Sequence, residues 1–214
     1  DAAAFRNLDG VVFVIDASPS MTGSARWPLL QTMGRFGVAA LGSRPGALVV
    51  FAGDSYVASE MTGDLRQLGQ TLLLIDGDTV PDMGSRPERA LAQAAVMLRE
   101  AKVLAGDVVL FSDGGGLGPE ALVAAAALAE QGARLSVVSA EGPGPEVQAL
   151  AATGRGRVFE LNETEGFAAF LSEQARDRLE KQEYPLLFWS DYGRFLLLAA
   201  LIPVLLLFRK KGLA

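Results

Sequence analysis

Val11-Val12-Phe13-Val14-Ile15-Asp16-Ala17-Ser18-Pro19-Ser20-Met21-Thr22 is the stretch whose reading decides the rest of the chain. Five apolar residues, four of them β-branched, run into an acid and then into two hydroxyls at alternate positions. Both faces of the run are apolar, which marks a strand covered on both sides. Asp16, Ser18 and Ser20 then project from a loop at the strand's carboxyl end, where open α/β sheets place their ligands. All three offer oxygen, which suits magnesium, manganese or calcium rather than zinc. The competing reading is a polar loop in which one hydroxyl caps the next helix.

Outward from that stretch, apolar runs alternate with helical patterns. Gly23 to Leu41 spaces Trp27, Leu29, Leu30, Met33, Phe36, Val38, Ala39 and Leu41 as one broad buried helical face. Gly42-Ser43-Arg44-Pro45-Gly46 breaks it, and Ala47 to Phe51 is a second buried strand. Ser55 to Met61 is predicted to return antiparallel at the sheet's edge, before a short helix from Asp64 to about Leu74. Ser85 followed by Glu88 has capping-box spacing, and Pro87 suits a first helical turn, so a helix is predicted from there to about Ala101. Val108 to Phe111, Leu135 to Ser139 and Gly156 to Leu161 read as further strands. Helices are predicted over Pro119 to Gln131, to about Ala152, and from Glu163 to about Lys181. Strand–helix alternation of this kind predicts a doubly wound, mostly parallel α/β sheet with one antiparallel edge strand.

Asp-x-Ser-x-Ser after a hydrophobic strand resembles the metal-ion-dependent adhesion site of the von Willebrand factor A family, and Ser112-Asp113-Gly114-Gly115-Gly116 matches that family's second acidic loop. The resemblance covers roughly residues 8 to 181. It implies a metal held by Asp16, Ser18, Ser20, Ser85 and Asp113. Ser18 and Ser20 would ligate directly, and the two acids directly or through waters. In the family the middle-loop hydroxyl is usually Thr; Ser85 stands there, with Thr79 as the other candidate and a plain helix cap as the alternative reading of Ser85. A cation also answers a physical need, since two carboxylates converging on one edge repel one another. The resemblance implies Mg2+ (or Mn2+/Ca2+) and a protein partner that offers an Asp or Glu to the metal. Within the family, the short acidic body, the Phe51-Ala52-Gly53 strand exit and the apolar run Phe195 to Phe208 with the basic end Arg209-Lys210-Lys211 look like the membrane-anchored bacterial BatA/BatB type. That likeness implies an accessory or assembly role, the company of a MoxR-type AAA+ ATPase, and no enzymatic activity.

Composition excludes several alternatives. The chain has no His and no Cys, which removes Ser-His-Asp and Cys-His catalysis and the common zinc sites. Its net charge of −6 argues against nucleic acid as a partner. The negative charge belongs to the body, because beyond Pro185 Arg194, Arg209, Lys210 and Lys211 oppose Asp191 alone. Phe195 to Phe208 is uninterrupted apolar sequence, and extension back through Trp189 and Tyr192 gives the length of a membrane span. Residues 1–183 are therefore expected to form the α/β domain, and 184–214 a transmembrane helix with a basic cytoplasmic tail. The domain would face a periplasm-like space across the bacterial inner membrane. Two further functions stay open on the residues alone. One is a magnesium-assisted phosphate-ester hydrolase with Gly114-Gly115-Gly116 as a phosphate cradle; the other is a scaffold whose metal site is not functional.

Overall fold

A computed structural model of the chain describes residues 9–103 and 105–183. The expected transmembrane segment lies outside the described residues. Among those residues no helix is long and apolar enough to cross a membrane.

Strand β1 (Asp9–Asp16) lies inside a six-stranded sheet with β2 (Gly46–Phe51) and β4 (Ala105–Ser112) parallel on either side. The order is β3-β2-β1-β4-β5-β6, with β5 (Arg134–Ser139) and β6 (Arg155–Glu160) parallel and β3 (Ser55–Thr62) antiparallel at one edge. The continuous apolar run of β1 is explained by the alternation of side chains across a strand. Val11, Phe13 and Ile15 enter one core, and Val12 and Val14 enter the other. The first core is closed by α2 (Trp27–Ala39), α3 (Leu65–Leu73) and α7 (Thr164–Glu183), through residues such as Met33, Leu68 and Phe167. The second is closed by α4 (Pro87–Glu100), α5 (Pro119–Glu130) and α6 (Pro145–Thr153), through Leu91, Leu128 and Leu150. Gly37 allows α2 to approach closely. A Cβ there would stand 2.6 Å from the Phe167 ring, which also meets Phe111 edge-on at 6.0 Å between centroids.

Two expectations need correction. The helix read over Gly23 to Leu41 is α2 alone, which starts only at Trp27 with Pro28 in its first turn, and the stretch read as a loop before it holds a single helical turn, α1 (Pro19–Thr22), closed by Gly23. Ser85 is not a cap. Arg86 holds the N-cap position of α4 without a side-chain capping bond, and the Ser85 hydroxyl points elsewhere.

At the amino edge of the sheet a buried ion cluster ties five segments together. Arg44 Nη2 donates to Asp9 Oδ1 at 2.8 Å and to Asp107 Oδ2 at 2.5 Å, while Nη1 reaches the Leu171 carbonyl at 3.3 Å. Arg134 donates to the other oxygen of Asp107 at 3.2 and 3.0 Å. Removing one partner of a buried pair leaves a charge without compensation, which costs about 3–5 kcal/mol. Arg44→Met is therefore expected to lower unfolding stability by about that amount in a denaturant titration. Substituting the exposed Arg35 on α2 the same way is expected to change it by less than about 0.5 kcal/mol.

Candidate metal centre

The carboxyl edge of the sheet gathers the polar residues. β1 lies between β2 and β4, and the order of strands reverses between β1 and β4. Connections leave such a point toward opposite faces and open a crevice above it. Asp16 is the last residue of β1, and no part of it is exposed. The chain turns immediately, and the Ser18 N–H donates to Asp16 Oδ1 at 2.9 Å. Ser18 stands at the N-cap position of α1, but its hydroxyl makes no capping bond. It lies 3.1 Å from the Ser20 hydroxyl, which donates to Asp113 Oδ2 at 2.7 Å. The short α1 therefore brings Ser20 across to the β4 loop.

The middle loop delivers Ser85. Its hydroxyl is 3.1 Å from Asp16 Oδ2 and 3.1 Å from the Gly115 carbonyl, between the first and third loops. The backbone beside it is anchored by the Arg86 N–H, which donates to the Ala52 carbonyl at the exit of β2. Thr79 is engaged in its own turn, where its hydroxyl is 3.0 Å from Asp76 Oδ1 and accepts from the Asp76 N–H at 2.8 Å. Of the two candidate hydroxyls, Ser85 is the one bonded to Asp16.

In the third loop the Asp113 carboxylate also accepts the Gly115 N–H at 2.9 Å, and the Gly114 N–H donates to Ser112 Oγ at 3.0 Å. Both amides are thus used inside the loop rather than left to cradle a phosphate. Gly116 adopts φ +73°, and a Cβ there would stand 2.4 Å from the Ser85 carbonyl. Glycine lets the third loop press against the second. Ser112 was missed as a site residue by the sequence reading. It is fully buried, and its hydroxyl lies 3.4 Å from Asp16 Oδ2. The signal was present, because pairing Ile15 with Phe111 sets Ser112 beside Asp16.

Asp16, Ser18, Ser20, Ser85 and Asp113 therefore converge from three loops. Burial is the main force on Asp16 and raises its pKa to about 6; bonds from Ser18 and Ser85 pull it down, and the Asp113 charge adds to the rise. Among the described residues no cationic side chain bonds to Asp16, and no group of three or more His, Cys, Asp or Glu forms. The site is two carboxylates among hydroxyls. A buried acid with only neutral donors, in a ring of oxygens, fits a hard divalent cation, which would supply the missing positive charge.

No protein-family profile matches the sequence, and no curated protein matches it. Solved structures do. BatB from Bacteroides thetaiotaomicron is 20% identical over 78% of this chain and 98% of its own, with a TM-score of 0.69. Proximal thread matrix protein 1 from the mussel byssus, solved with a zinc-occupied MIDAS motif, is 14% identical over 78% of this chain and 45% of its own, with a TM-score of 0.64. A von Willebrand factor type A protein from Catenulispora acidiphila is 16% identical over 78% and 42%, with a TM-score of 0.59. The six-stranded sheet with its single antiparallel edge, together with these likenesses, gives the chain the fold of a von Willebrand factor type A domain, in the form seen in BatB.

Proposed function

We propose that this chain is a metal-dependent protein-interaction module. The single observation that carries the reading is the fully buried Asp16, which no cationic side chain among the described residues bonds, inside a ring of oxygens drawn from three loops. Asp16, Ser18, Ser20, Ser85 and Asp113 hold the ion, with Ser112 orienting Asp16 from behind. The neighbour with zinc at the same motif supports a divalent occupant. The all-oxygen donor set favours Mg2+, then Mn2+ or Ca2+. A bound divalent ion supplies positive charge and a coordination position that an Asp or Glu of a partner protein completes. The protein's own residues do the rest. The Asp16 carboxylate is fixed by the Ser18 amide, the hydroxyls are aligned by the short α1, and Asp113 is held by the Gly115 amide.

The domain spans residues 1–183 in this proposal, and 184–214 tether it to the bacterial inner membrane with the acidic body on the periplasmic side. The apolar run Phe195–Phe208 followed by Arg209, Lys210 and Lys211 supports the tether. A tethered adhesion module without His or Cys suits an accessory or assembly role, in the company of a MoxR-type AAA+ ATPase.

Calorimetric titration of the full chain with magnesium or manganese is expected to give saturable binding that Asp16→Ala abolishes. At about 100 times Kd the ion adds about 2.7 kcal/mol to unfolding stability. Absence of both effects would overturn the reading.

Ser85→Ala is expected to weaken the ion about tenfold or more, the loss of one good ligand at about 1.4 kcal/mol. Ser85→Thr retains it, and Thr79→Ala leaves it unchanged in the same titration.

The metal-free protein has its own pH signature. Asp16 holds its proton in the fold up to about pH 6, whereas the unfolded chain releases it near the ordinary aspartate value of 3.8. Between those values the fold binds the extra proton, so stability falls as pH rises and the loss is complete above about 6. The full loss is about 3 kcal/mol, from about two pH units at 1.36 kcal/mol each. Denaturant titrations at pH 4 and pH 7 check this, and Asp16→Asn is expected to flatten the difference. Saturating magnesium is expected to reverse it by favouring the carboxylate.

A further inference from the structure

At the amino edge of the sheet, opposite the metal centre, lies a pocket of about 500 Å3. It opens where α4 and α5 end and β4 and β5 begin. Leu98, Val103 and Ala133 give it apolar walls, and Arg99 and Lys102 give it charge, with no acid among the described lining residues. Both cations are exposed, and neither has an ion pair among the described residues. The helix carbonyls beside them are already used. The Lys102 N–H donates to the Arg99 carbonyl at 3.0 Å, and the Val103 N–H to the Leu98 carbonyl at 2.9 Å. Lys102 makes this turn at φ +55°, whereas α5 ends on Gly132 at φ +84°. A left-handed residue that closes a helix is ordinarily glycine, so α4 keeps a long cationic side chain where the backbone favours none.

The other charges of this edge leave the two cations free to act. Asp9 and Asp107 are bonded to Arg44 and Arg134, and Asp64 caps α3. Glu100 and Glu130 stand on the same helix ends but outside the lining. Arg155, exposed at the start of β6, adds a further cation. α7 runs toward this edge, since its Leu171 carbonyl receives Arg44 there, and the sequence beyond α7 leads into the apolar run Phe195 to Phe208.

The geometry points to a lipid subsite: the pocket takes the headgroup phosphate of an anionic phospholipid in the membrane that the chain's own tether enters. Arg99 and Lys102 meet the phosphate, and the glycerol and first acyl carbons lie along Leu98, Val103 and Ala133. A free phosphate would leave those apolar walls unfilled. Residues 76–82, at the carboxyl edge, hold three acids and no cation, so the same lipid surface repels the opposite end of the domain. Docked in this way, the eight residues of β4 at about 3.3 Å each hold Asp113 about 26 Å from the lipid, open to a partner. This inference rests on the tether reading and does not depend on the metal.

The chain has no Cys, so one introduced cysteine takes a single fluorophore. Glu130→Cys places it at the end of α5 beside the pocket, and Glu120→Cys at the start of the same helix; each removes one acid. The full chain is reconstituted with phosphatidylcholine vesicles, with or without phosphatidylglycerol, that carry a headgroup quencher. Flotation reads attachment, and quenching reads which end lies at the lipid. Attachment to both vesicles is expected. Phosphatidylglycerol is expected to raise the docked-to-undocked ratio of the Glu130→Cys reporter about fivefold for each of the two cations, with the Glu120→Cys reporter unmoved. The double substitution Arg99→Gln, Lys102→Gln is expected to erase that rise while flotation and the unfolding midpoint stay the same. Soluble glycerol phosphate at equal phosphate concentration is expected not to reverse it; reversal overturns lipid as the occupant. If the chain attaches to both vesicles but the Glu130→Cys reporter ignores phosphatidylglycerol, or its response survives the double substitution, the subsite is overturned and the tether stands. If attachment needs phosphatidylglycerol and is lost in the double variant, the subsite stands and the tether falls. Attachment to neither vesicle overturns both.

Discussion

A carboxylate buried in a protein must be neutralised, and this fold solves that problem in two different ways on adjacent strands. Asp107 opens β4 at the amino edge of the sheet and is met by two guanidinium groups, those of Arg44 and Arg134. Asp16 closes β1 at the opposite edge, is at least as buried, and is met by an amide and hydroxyls only. Desolvation of a charge in such a place costs several kcal/mol unless a countercharge arrives. The protein supplies that countercharge at one edge. At the other it leaves the acid to hold its proton below about pH 6 or to acquire a cation. The whole upper rim follows from that difference. Two loops are bent toward Asp16, and each brings an oxygen rather than a nitrogen.

Much of this was legible from the residues. The strands could be read because a sheet covered on both sides needs apolar side chains at successive positions, and Val11 to Ile15 and Val108 to Phe111 have them. The first and third loops could be read because acids and hydroxyls follow those runs directly, and the middle one because Ser85 stands just before a helix start. The failures have physical causes. Ser85 carried a cap as its second reading beside that of a site hydroxyl, because Ser-x-x-Glu describes a local geometry whereas its bond to Asp16 crosses 69 positions. The Arg44 cluster was read only as a helix break, since its partners lie 35, 63 and 127 positions away. Ser112 was quoted in its loop and given no role, although β1–β4 register was enough to place it. α1 escaped inside the stretch read as a loop because it is a single turn, too short for periodicity to detect.

The short α1 has a function that a longer helix would forfeit. Ser18 and Ser20 must present hydroxyls to the same point, yet residues two apart on a helix do not share a face. Here Ser18 is extended, at φ −60° and ψ 155°, and Ser20 lies in the first turn. The change of backbone conformation between them turns both oxygens inward, 3.1 Å apart. Met21, almost fully buried, pins the turn to the core, and the Thr22 hydroxyl ties it back to the Ser18 carbonyl at 3.1 Å. A one-turn helix fixed at both ends holds its serines with little freedom to lose on binding, which is the condition for an oxygen site to bind an ion without a rearrangement of backbone.

The two buried acids also divide the molecule's labour. The Arg44–Asp107 cluster stands at the amino edge and reaches the Leu171 carbonyl of α7, so it joins the helix layer to the sheet. The oxygen ring stands at the carboxyl edge, where the strand order reverses and loops from opposite faces meet. Each edge carries a polar cluster that an apolar core between them cannot replace, since neither acid can move without dragging its strand. The strength of the amino edge permits weakness at the carboxyl edge. A sheet locked from below tolerates an under-compensated acid above, and that acid is the feature on which a cation, and through it a partner, can act.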